Sequence, residues 1–476
     1  MELRSFLEIP YDELEELNLE AKQKSLTEDE DKLRKHYIKY LEGEKRIKAV
    51  TLAFSDLEGR LHTLDYDKKF LIDSYDNLTF DGSSIRGLTQ VSESDLKLEV
   101  DWPTFRWLPS DVFGPGKVLM FCIIKGREGN VFPGDFRGQL KSYLTELKGK
   151  GITTNIAVEC EGFLFDGRNA EQEYSSWEGF EMVSSGGYYN ALPKDPLKIF
   201  IDLMAEAQRA LGFENEKDHP EVAPAQFELN YKYCDALVAA DQVQLYKLVA
   251  RQIAASMGYT ASFLAKPIAG INGNGMHTNI SLAKDGKNLF YDAKGKDNLS
   301  TMAWDFINKV LSSANDLCLI LNSSVNSYRR LDPNYEAPNQ IKVSAVDRTS
   351  MVRIPLGNEK SARIEVRTVA PDAPPYLTFY SLLKAGLEGT DTVSAEEDKK
   401  KRNRTRLLPG NIYDAIRNFK SSDFINEVMG PEIKSKFVDL KVASANRCPK
   451  ELGDLVKTEE ILFHHEVTNQ FIWGRF

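Results

Sequence analysis

The sequence predicts an α+β protein with more than one domain, and three observations carry that prediction. Residues 1–45 are rich in Glu, Lys and Leu, contain little Gly or Pro, and read as helical. From residue 46 to about Leu96 the pattern changes to a period of two around turn-forming residues, which reads as a small β-rich domain. The remainder mixes apolar strands with long amphipathic helices, and 476 residues exceed what one ordinary small core can serve. The predicted divisions are a helical segment 1–45, a β domain 46–130 and a larger domain 131–476.

Taken in order, "IKAVTLAFSDLEGRLHTLDYD" alternates on either side of a turn at Asp56–Gly59. "FGPGKVLMFCIIKGREGNVF" predicts a hairpin, and "DFRGQLKSYLTELKGKG" a helix stopped by Gly151. Apolar strands are predicted over 155–165 and 277–283. In "DALVAADQVQLYKLVARQIAASMG", Leu237, Val238, Leu245, Leu248, Val249, Ile253 and Met257 recur at helical spacing, so this helix is a core element. "MAWDFINKVLSSANDLCLILN" is a second apolar helix. The charged run "AEEDKKKRNRTR" reads as a solvated loop, and no internal repeat is found.

Composition narrows the function classes. The longest apolar runs, "KVLMFCIIKG" and "LCLIL", fall short of a bilayer span, and the start "MELRSFLEIPYDELEELN" is acidic, unlike a signal peptide. A cytoplasmic protein without a membrane partner is expected. The five cysteines include no C-x-x-C pair and are odd in number, which argues against a disulfide framework or a thiolate zinc site. Cys160 is expected to pack as a small hydrophobe. A net charge of -10 argues against a nucleic-acid or anionic-membrane surface. Anionic substrates stay open, because a metal or an arginine cluster reverses the field inside a cleft.

The stretch "TTNIAVECEGFLFDG" places Glu159 and Glu161 at i and i+2 of a strand, hence on one face. Two confined carboxylates call for a cation, an arginine or full exposure. As an isolated pair they read equally as the wet face of an edge strand. Four further segments carry residues of the same chemical type. "DHPEVAPAQFELN" holds Glu221 and Glu228 around a Pro-containing bend, and "INGNGMHTNISL" brings backbone amides together at Gly273 and Gly275 before His277. "NSYRRLDPNYEAPNQ" sets Arg330 and Glu336 in a loop. The stretch from "VDRTSMVRIP" to "RIEVR" supplies Arg348, Arg353, Arg363 and Arg367 around Glu365.

Carboxylates with one imidazole suit magnesium or manganese better than zinc or copper. Open metal sites beside arginines are what phosphoryl transfer from a nucleotide requires. There is no Walker A sequence, and "GNGMH" lacks the third glycine of a dinucleotide fingerprint. Singly, each segment also has a plain structural reading. His277 could be a core histidine, and Arg363, Glu365 and Arg367 a cross-strand ion ladder.

Together and in this order, "FDGSSIRG", "ECEGFLF", "SGGYY", "PEVAPAQFE", "KPIAGINGNGMHTNISL", "NSYRRLDPNYEAP", "DRTSMVRIP" and "RIEVR" resemble the glutamine synthetase family. The resemblance implies a small amino-terminal β-grasp domain and a large catalytic domain whose curved antiparallel sheet is flanked by helices. It implies two or three Mg2+ or Mn2+ ions, with Glu161, Glu221 and Glu228 on one and Glu159, His277 and Glu365 on a second. By motif position, Asn272, Gly273, Arg330 and Arg367 correspond to glutamate-holding residues, and Arg348 and Arg353 to those gripping the nucleotide phosphates. Glu216, Asn279, Ser281 and Lys360 correspond less closely to the ATP pocket. Family members form stacked rings with sites between subunits, so a homo-oligomer, a dodecamer, is expected, in which Asp81 and Ser84 reach a neighbour's site.

The implied reaction joins ammonium to the γ-carboxylate of L-glutamate through γ-glutamyl phosphate, with ATP as co-substrate. Arg348 would neutralise charge, Glu336 would close a lid, and Asp81 would take a proton from ammonium in a pocket with Ser84, Tyr188, Glu221 and Glu336. The chain departs from the family pattern at Pro220, in place of the second histidine of "HHEVA", at Gly162, in place of an aromatic, and at Pro374 of "PPYL". The region "DTVSAEEDKKKRNRTRLLPG" has no tyrosine, so adenylylation control is not expected. The alternatives are a ligase joining glutamate to an organic amine, such as a polyamine, and a catalytically inert relative. The first should lose part of the ammonium pocket and the second its metal ligands, yet the residues of both persist.

Overall fold

The computed structural model describes residues 6–89, 94–174, 179–331, 337–392 and 405–451, with side chains to residue 446. The amino-terminal stretch forms two helices, Tyr11–Thr27 and Glu30–Gly43, divided where Asp29 caps the second by accepting from the Lys32 amide. Leu14, Ala21, Leu33, Tyr37 and Leu41 from these helices share one core with the small sheet. Tyr37 stacks on Phe105 at 4.2 Å between ring centroids. The buried Asn18 donates to the carbonyls of Trp107 (3.0 Å) and Ala210 (2.7 Å), which fixes the first helix to both domains.

The small sheet comprises β1 (Ala49–Ser55), β2 (Leu61–Asp67), β3 (Leu78–Asp81), β4 (Asp95–Val100), β5 (Arg106–Trp107) and β6 (Lys117–Lys125). Its order is β2-β1-β6-β4-β3, with β5 beside β6. The β1–β2 hairpin turns at Asp56–Gly59 as predicted, and β1 and β6 pair in parallel. The hairpin predicted from "FGPGKVLMFCIIKGREGNVF" reduces to a single bridge, Lys125 to Val131. Its second arm ends there because Pro133 breaks the ladder and Asp135 caps the next helix, Phe136–Gly149. The apolar arm β6 pairs instead with β1, β4 and β5.

The large sheet comprises β7 (Ile152–Asp166), β8 (Asn215–Pro220), β9 (Gln226–Tyr231), β10 (Tyr259–Ser262), β11 (Met276–Lys284), β12 (Lys287–Asn288), β13 (Gln340–Ser344), β14 (Ser350–Arg353) and β15 (Ile364–Val366). Its order is β13-β14-β15-β11-β7-β9-β8, with β10 on β7 and β12 on β11, and every pairing except β13–β14 is antiparallel. Helix Ala236–Ser256 packs across one face of this sheet. Tyr246 Oη donates to the Cys160 carbonyl at 2.9 Å, and the buried Cys160 side chain joins the core there. The long apolar helix predicted after residue 301 divides at Ser313 into Thr301–Ser312 and Ala314–Leu321. Among the described residues, no helix is long and apolar enough to cross a membrane.

Candidate active site

With Cys160 turned to the helices, strand alternation turns Glu159 and Glu161 to the opposite face. Register then assembles the remainder from segments distant in sequence. His277 of β11 lies opposite Glu159, Glu228 of β9 opposite Glu161, and His219 of β8 opposite Glu228. On the other side, Asn279 lies opposite Glu365 of β15, and Arg353 of β14 opposite Glu365. A band of charged side chains therefore runs across six strands.

Among the described residues, two groups each hold their donor atoms within 4.8 Å of one another: Glu159, His277 and Glu365, and His219, Glu221 and Glu228. The first is the predicted second metal set. The second differs from prediction, because His219 stands with Glu221 and Glu228 and Glu161 is not in the group. Glu161 Oε2 instead accepts from the Gly275 amide at 2.6 Å, and its other oxygen lies 4.0 Å from His277 Nδ1. Burial, reinforced by Glu221 and Glu228, pushes Glu161 well above the carboxylate range. Burial and Glu228 push Glu221 up to about 7. Crowded, buried carboxylates shifted in this direction favour a bound cation, whose charge opposes both shifts.

His219 was not among the sequence-predicted ligands. Its Nδ1 is 3.7 Å from Glu221 and its Nε2 3.6 Å from Glu228, and that Nε2 is buried without a hydrogen-bond partner. The signal was present in the sequence, since His219 stands two residues before Glu221, the same spacing as Glu159 and Glu161. Two carboxylate–imidazole clusters, one with an orphaned buried nitrogen, fit hard divalent ions.

Around the first cluster the arginines are already engaged. Glu365, fully buried, accepts from Arg353 Nε at 2.5 Å and from Arg367 at 2.6 Å. Arg330 donates to the Arg367 carbonyl at 2.9 Å and lies 3.4 Å from His277 Nε2. Burial and Arg367 push the His277 imidazole down, which keeps it neutral. Burial opposes ionisation of Glu159, yet hydrogen bonds from His277 and Asn279 outweigh it and hold that carboxyl down at about 2.

The glycine loop closes against these groups. A Cβ at Gly275 would stand 2.6 Å from both Arg330 and His277, and one at Gly273 would stand 2.3 Å from the Ala265 carbonyl, so neither position admits a side chain. Gln226 joins this loop to the bend carrying Glu221, donating to the Gly273 carbonyl at 3.1 Å and accepting from the Ala223 amide at 3.1 Å. Asn272 adjoins on the same loop.

Of the six residues expected at the nucleotide, Glu216, Asn279, Ser281 and Lys360 line one cavity of about 270 Å3 that Glu159 also borders, whereas Arg348 and Arg353 are not in its lining. Lys217, Tyr233 and Arg363 line it too and were not predicted there. Asn279 links the cavity to the first cluster. It donates to Glu159 Oε1 at 2.9 Å and accepts from Arg363 Nε at 3.0 Å. Arg348 is exposed on the turn between β13 and β14.

Tyr188, half-exposed, meets the His219 ring edge-on at 5.6 Å, and Tyr189 does so at 4.7 Å. Asp81 and Ser84 lie elsewhere, at the end of β3. Asp81 is exposed and accepts from the Ser83 amide and hydroxyl and from Ser84 Oγ at 2.5 Å. Glu336 and residues 395–404 of the charged run lie outside the described residues.

Two departures from the family pattern have local explanations. Gly162 lies opposite Phe227, and a Cβ there would come within 2.5 Å of the Phe227 ring, so the aromatic volume is supplied from β9. By strand parity this is the helix side of β7, not the side of the clusters. Pro374 precedes helix Pro375–Glu388 and packs on Gly59 of the small domain.

The family model for the catalytic domain of glutamine synthetase matches residues 133–455, and that for its β-grasp domain matches 46–126. The chain belongs to the glutamine synthetase family. It is 36% identical over 417 residues to glutamine synthetase of Clostridium saccharobutylicum, covering 84% of this chain and 92% of that one. Against glutamine synthetase of Methanosarcina mazei it is 36% identical over 411 residues, covering 84% and 91%. Among solved structures, a GmaS–ADP complex aligns with a TM-score of 0.74 at 27% identity, covering 87% of this chain and 97% of that one. Plasmodium falciparum glutamine synthetase aligns with a TM-score of 0.77 at 21% identity over 89% and 98%, a likeness of fold. The architecture is that of a glutamine synthetase, a β-grasp domain followed by a catalytic domain of curved sheet and helices. The family is divalent-metal- and ATP-dependent.

Proposed function

We propose that this enzyme forms L-glutamine from L-glutamate and ammonium at the expense of ATP, through γ-glutamyl phosphate. One observation carries the reading: Glu159 belongs both to the first carboxylate–imidazole cluster and to the wall of the cavity bordered by Glu216, Asn279, Ser281 and Lys360. A nucleotide there would direct its phosphates toward that cluster. Glu159, His277 and Glu365 would hold one divalent ion, and His219, Glu221 and Glu228 another with Glu161 alongside. Bound magnesium or manganese supplies charge compensation for the phosphates and the glutamate γ-carboxylate.

The chain's own residues do the remainder. Arg330 and Arg367 are assigned to glutamate beside Asn272 and Gly273, and Arg348 and Arg353 to the phosphates, where their fixed charges stabilise the transferring group. Arg353 must exchange part of its bond with Glu365 for phosphate oxygens to do so. The γ-carboxylate attacks the terminal phosphate, ADP leaves, and ammonia then displaces phosphate from the acyl carbon. Asp81, Ser84, Tyr188, Glu221 and Glu336 are assigned to ammonium, with Asp81 accepting its proton and Glu336 shielding the acyl phosphate from water. That Asp81 and Ser84 are exposed and, among the described residues, bonded to each other and Ser83 supports a homo-oligomer, with twelve subunits proposed, in which they complete a neighbour's site.

A second reading, ligation of glutamate to an organic amine, is supported by the likeness to GmaS. ATP-dependent phosphate release measured with glutamate plus ammonium, methylamine or a diamine separates the two. Release with ammonium is expected. Release that requires an amine and ignores ammonium would transfer the assignment.

A further inference from the structure

The helix side of the large sheet carries a second charged cavity, away from the clusters. Lys247 and Arg251 stand four residues apart on helix Ala236–Ser256 and so share a face. The turn between β1 and β2 brings Arg60 opposite them, and with Glu58, Gln244 and Asp372 these residues line a cavity of about 220 Å3. The two domains meet here, since Gln244 Nε2 donates to the Gly59 carbonyl at 2.9 Å.

Among the described residues, the cations in this cavity make no ion pair at contact distance, and Glu171 and Asp372 act on Arg251 and Lys247 only at longer range. Lys247 is buried, donates only to the Pro371 carbonyl, and lies 6.0 Å above the Phe263 ring. The Arg251 guanidinium lies 5.6 Å over the same ring and makes no hydrogen bond or ion pair with any described residue. Arg60 bonds through its backbone amide to Asp56, and its guanidinium likewise has no described partner. Burial pushes Lys247 below its ordinary range. Burial also pushes Arg251 down, with Glu171 opposing the shift and Arg60 adding to it.

The nearby acids have contacts of their own. Glu58 pairs with Lys441 at 3.1 Å, and Asp372 Oδ2 accepts from Ser327 Oγ at 2.6 Å. Glu171 is buried and acts on Arg251 first and on Ser262 second. Asp372 Oδ1 is buried without a partner.

We propose that this interdomain cavity binds a small doubly charged oxyanion, a phosphate or a short dicarboxylate, through Arg60, Lys247 and Arg251. Two guanidinium groups and an ammonium belong to residues lining one cavity of about 220 Å3, room for a small anion. An oxyanion would accept from all three and relieve the repulsion between Arg60 and Arg251. Because Arg60 belongs to the small domain and the other two to the large one, the anion joins the domains. The site is separate from the reaction centre, which lies across the sheet, and its occupancy does not depend on the reaction proposed above.

Inorganic phosphate and succinate, titrated separately by calorimetry into the full-length protein without metal, ATP or glutamate, test the proposal and distinguish the two sources. At least one anion is expected to bind saturably, at least tenfold more weakly in both Arg60→Gln and Arg251→Gln, with ammonium-dependent turnover of Arg60→Gln unchanged. Arg60 is exposed, so its variant keeps the test valid if Arg251→Gln does not fold. Equal affinity in the wild type and Arg60→Gln, or no saturable binding of either anion, would overturn the proposal.

Discussion

Asn279 offers the sharpest test of how the cavity proposed for the nucleotide communicates with the cluster proposed for the metal. Its amide donates to Glu159 Oε1 at 2.9 Å while its oxygen accepts from Arg363 Nε at 3.0 Å. Asn279→Ala removes both bonds. A hydrogen bond to a charged group contributes about 1.5–3 kcal/mol, so losing the one to Glu159 is worth about 10- to 150-fold in the metal concentration that half-saturates activity. Asn279→Asp gives a different outcome.

An aspartate keeps the acceptor for Arg363 but sets a carboxylate against Glu159. At an effective dielectric of 20, unit charges at these two separations interact by about 6 kcal/mol each, with opposite signs, so the variant remains foldable. The two terms fall on different ligands. The attraction holds Arg363 at the cavity, whereas the added anion sits at the metal cluster. Steady-state kinetics over a manganese and ATP matrix should therefore show both half-saturating concentrations raised in Asn279→Ala. In Asn279→Asp the ATP value should return toward wild type while the metal value does not follow it. Identical behaviour of the two variants in both titrations would refute the idea that Asn279 has one function at each end.

Two further predictions concern the scaffold and the ions. Arg137 is fully buried between Asp101 of the small domain and Asp241 of the large one, bonded to each at 2.7 Å, so Arg137→Met should cost about 3–5 kcal/mol in denaturant unfolding. Burial works against the Asp101 carboxylate, but Arg137 and Lys141 outweigh it and lower its pKa. In the wild type this contribution is present above about pH 4 and is lost as pH falls through the folded value. Without Arg137 the buried acids shift upward, their stability is lost as pH rises from about 4, and the variant's deficit should widen toward pH 7; a constant deficit would remove Arg137 as their counterion. For the ions, manganese at a hundred times its Kd should stabilise the wild type by about 2.7 kcal/mol, read as a rise in Tm. His219→Ala should flatten part of that rise, and an unaltered titration would exclude His219 from the metal set.

What was legible in the sequence followed from periodicity. Alternation in β7 put Glu159 and Glu161 on one face and Cys160 on the other, and the structure does the same. Helix Ala236–Ser256 lies where its apolar spacing predicted, because a core helix needs only its own residues to declare its face. Pairing was not legible. That β6 runs parallel to β1 instead of folding back on Val131 is set by contacts more than sixty residues apart, which no local window contains. The same limit hid the band of charge, since Glu228 meets Glu161 only through register.

His219 shows the limit in its most instructive form. Matching against a two-histidine pattern directs attention to Pro220, where the pattern breaks, yet position 220 has the parity of the helix face and Phe227 as its partner. His219 and Glu221 stand together in one cluster, so the imidazole that faces the carboxylates is the one that the pattern retains. Gly162 repeats the lesson from the other side. Its missing aromatic belongs to the packed face, where Phe227 fills the volume, and so its loss leaves the carboxylates at 159 and 161 where they were. Strand parity, applied before any judgement about a departure, separates substitutions that alter the site from substitutions that alter only what lies beneath it. By that rule Asn279, bonded to Glu159 on the face of the clusters, is a position where a substitution would alter the site itself.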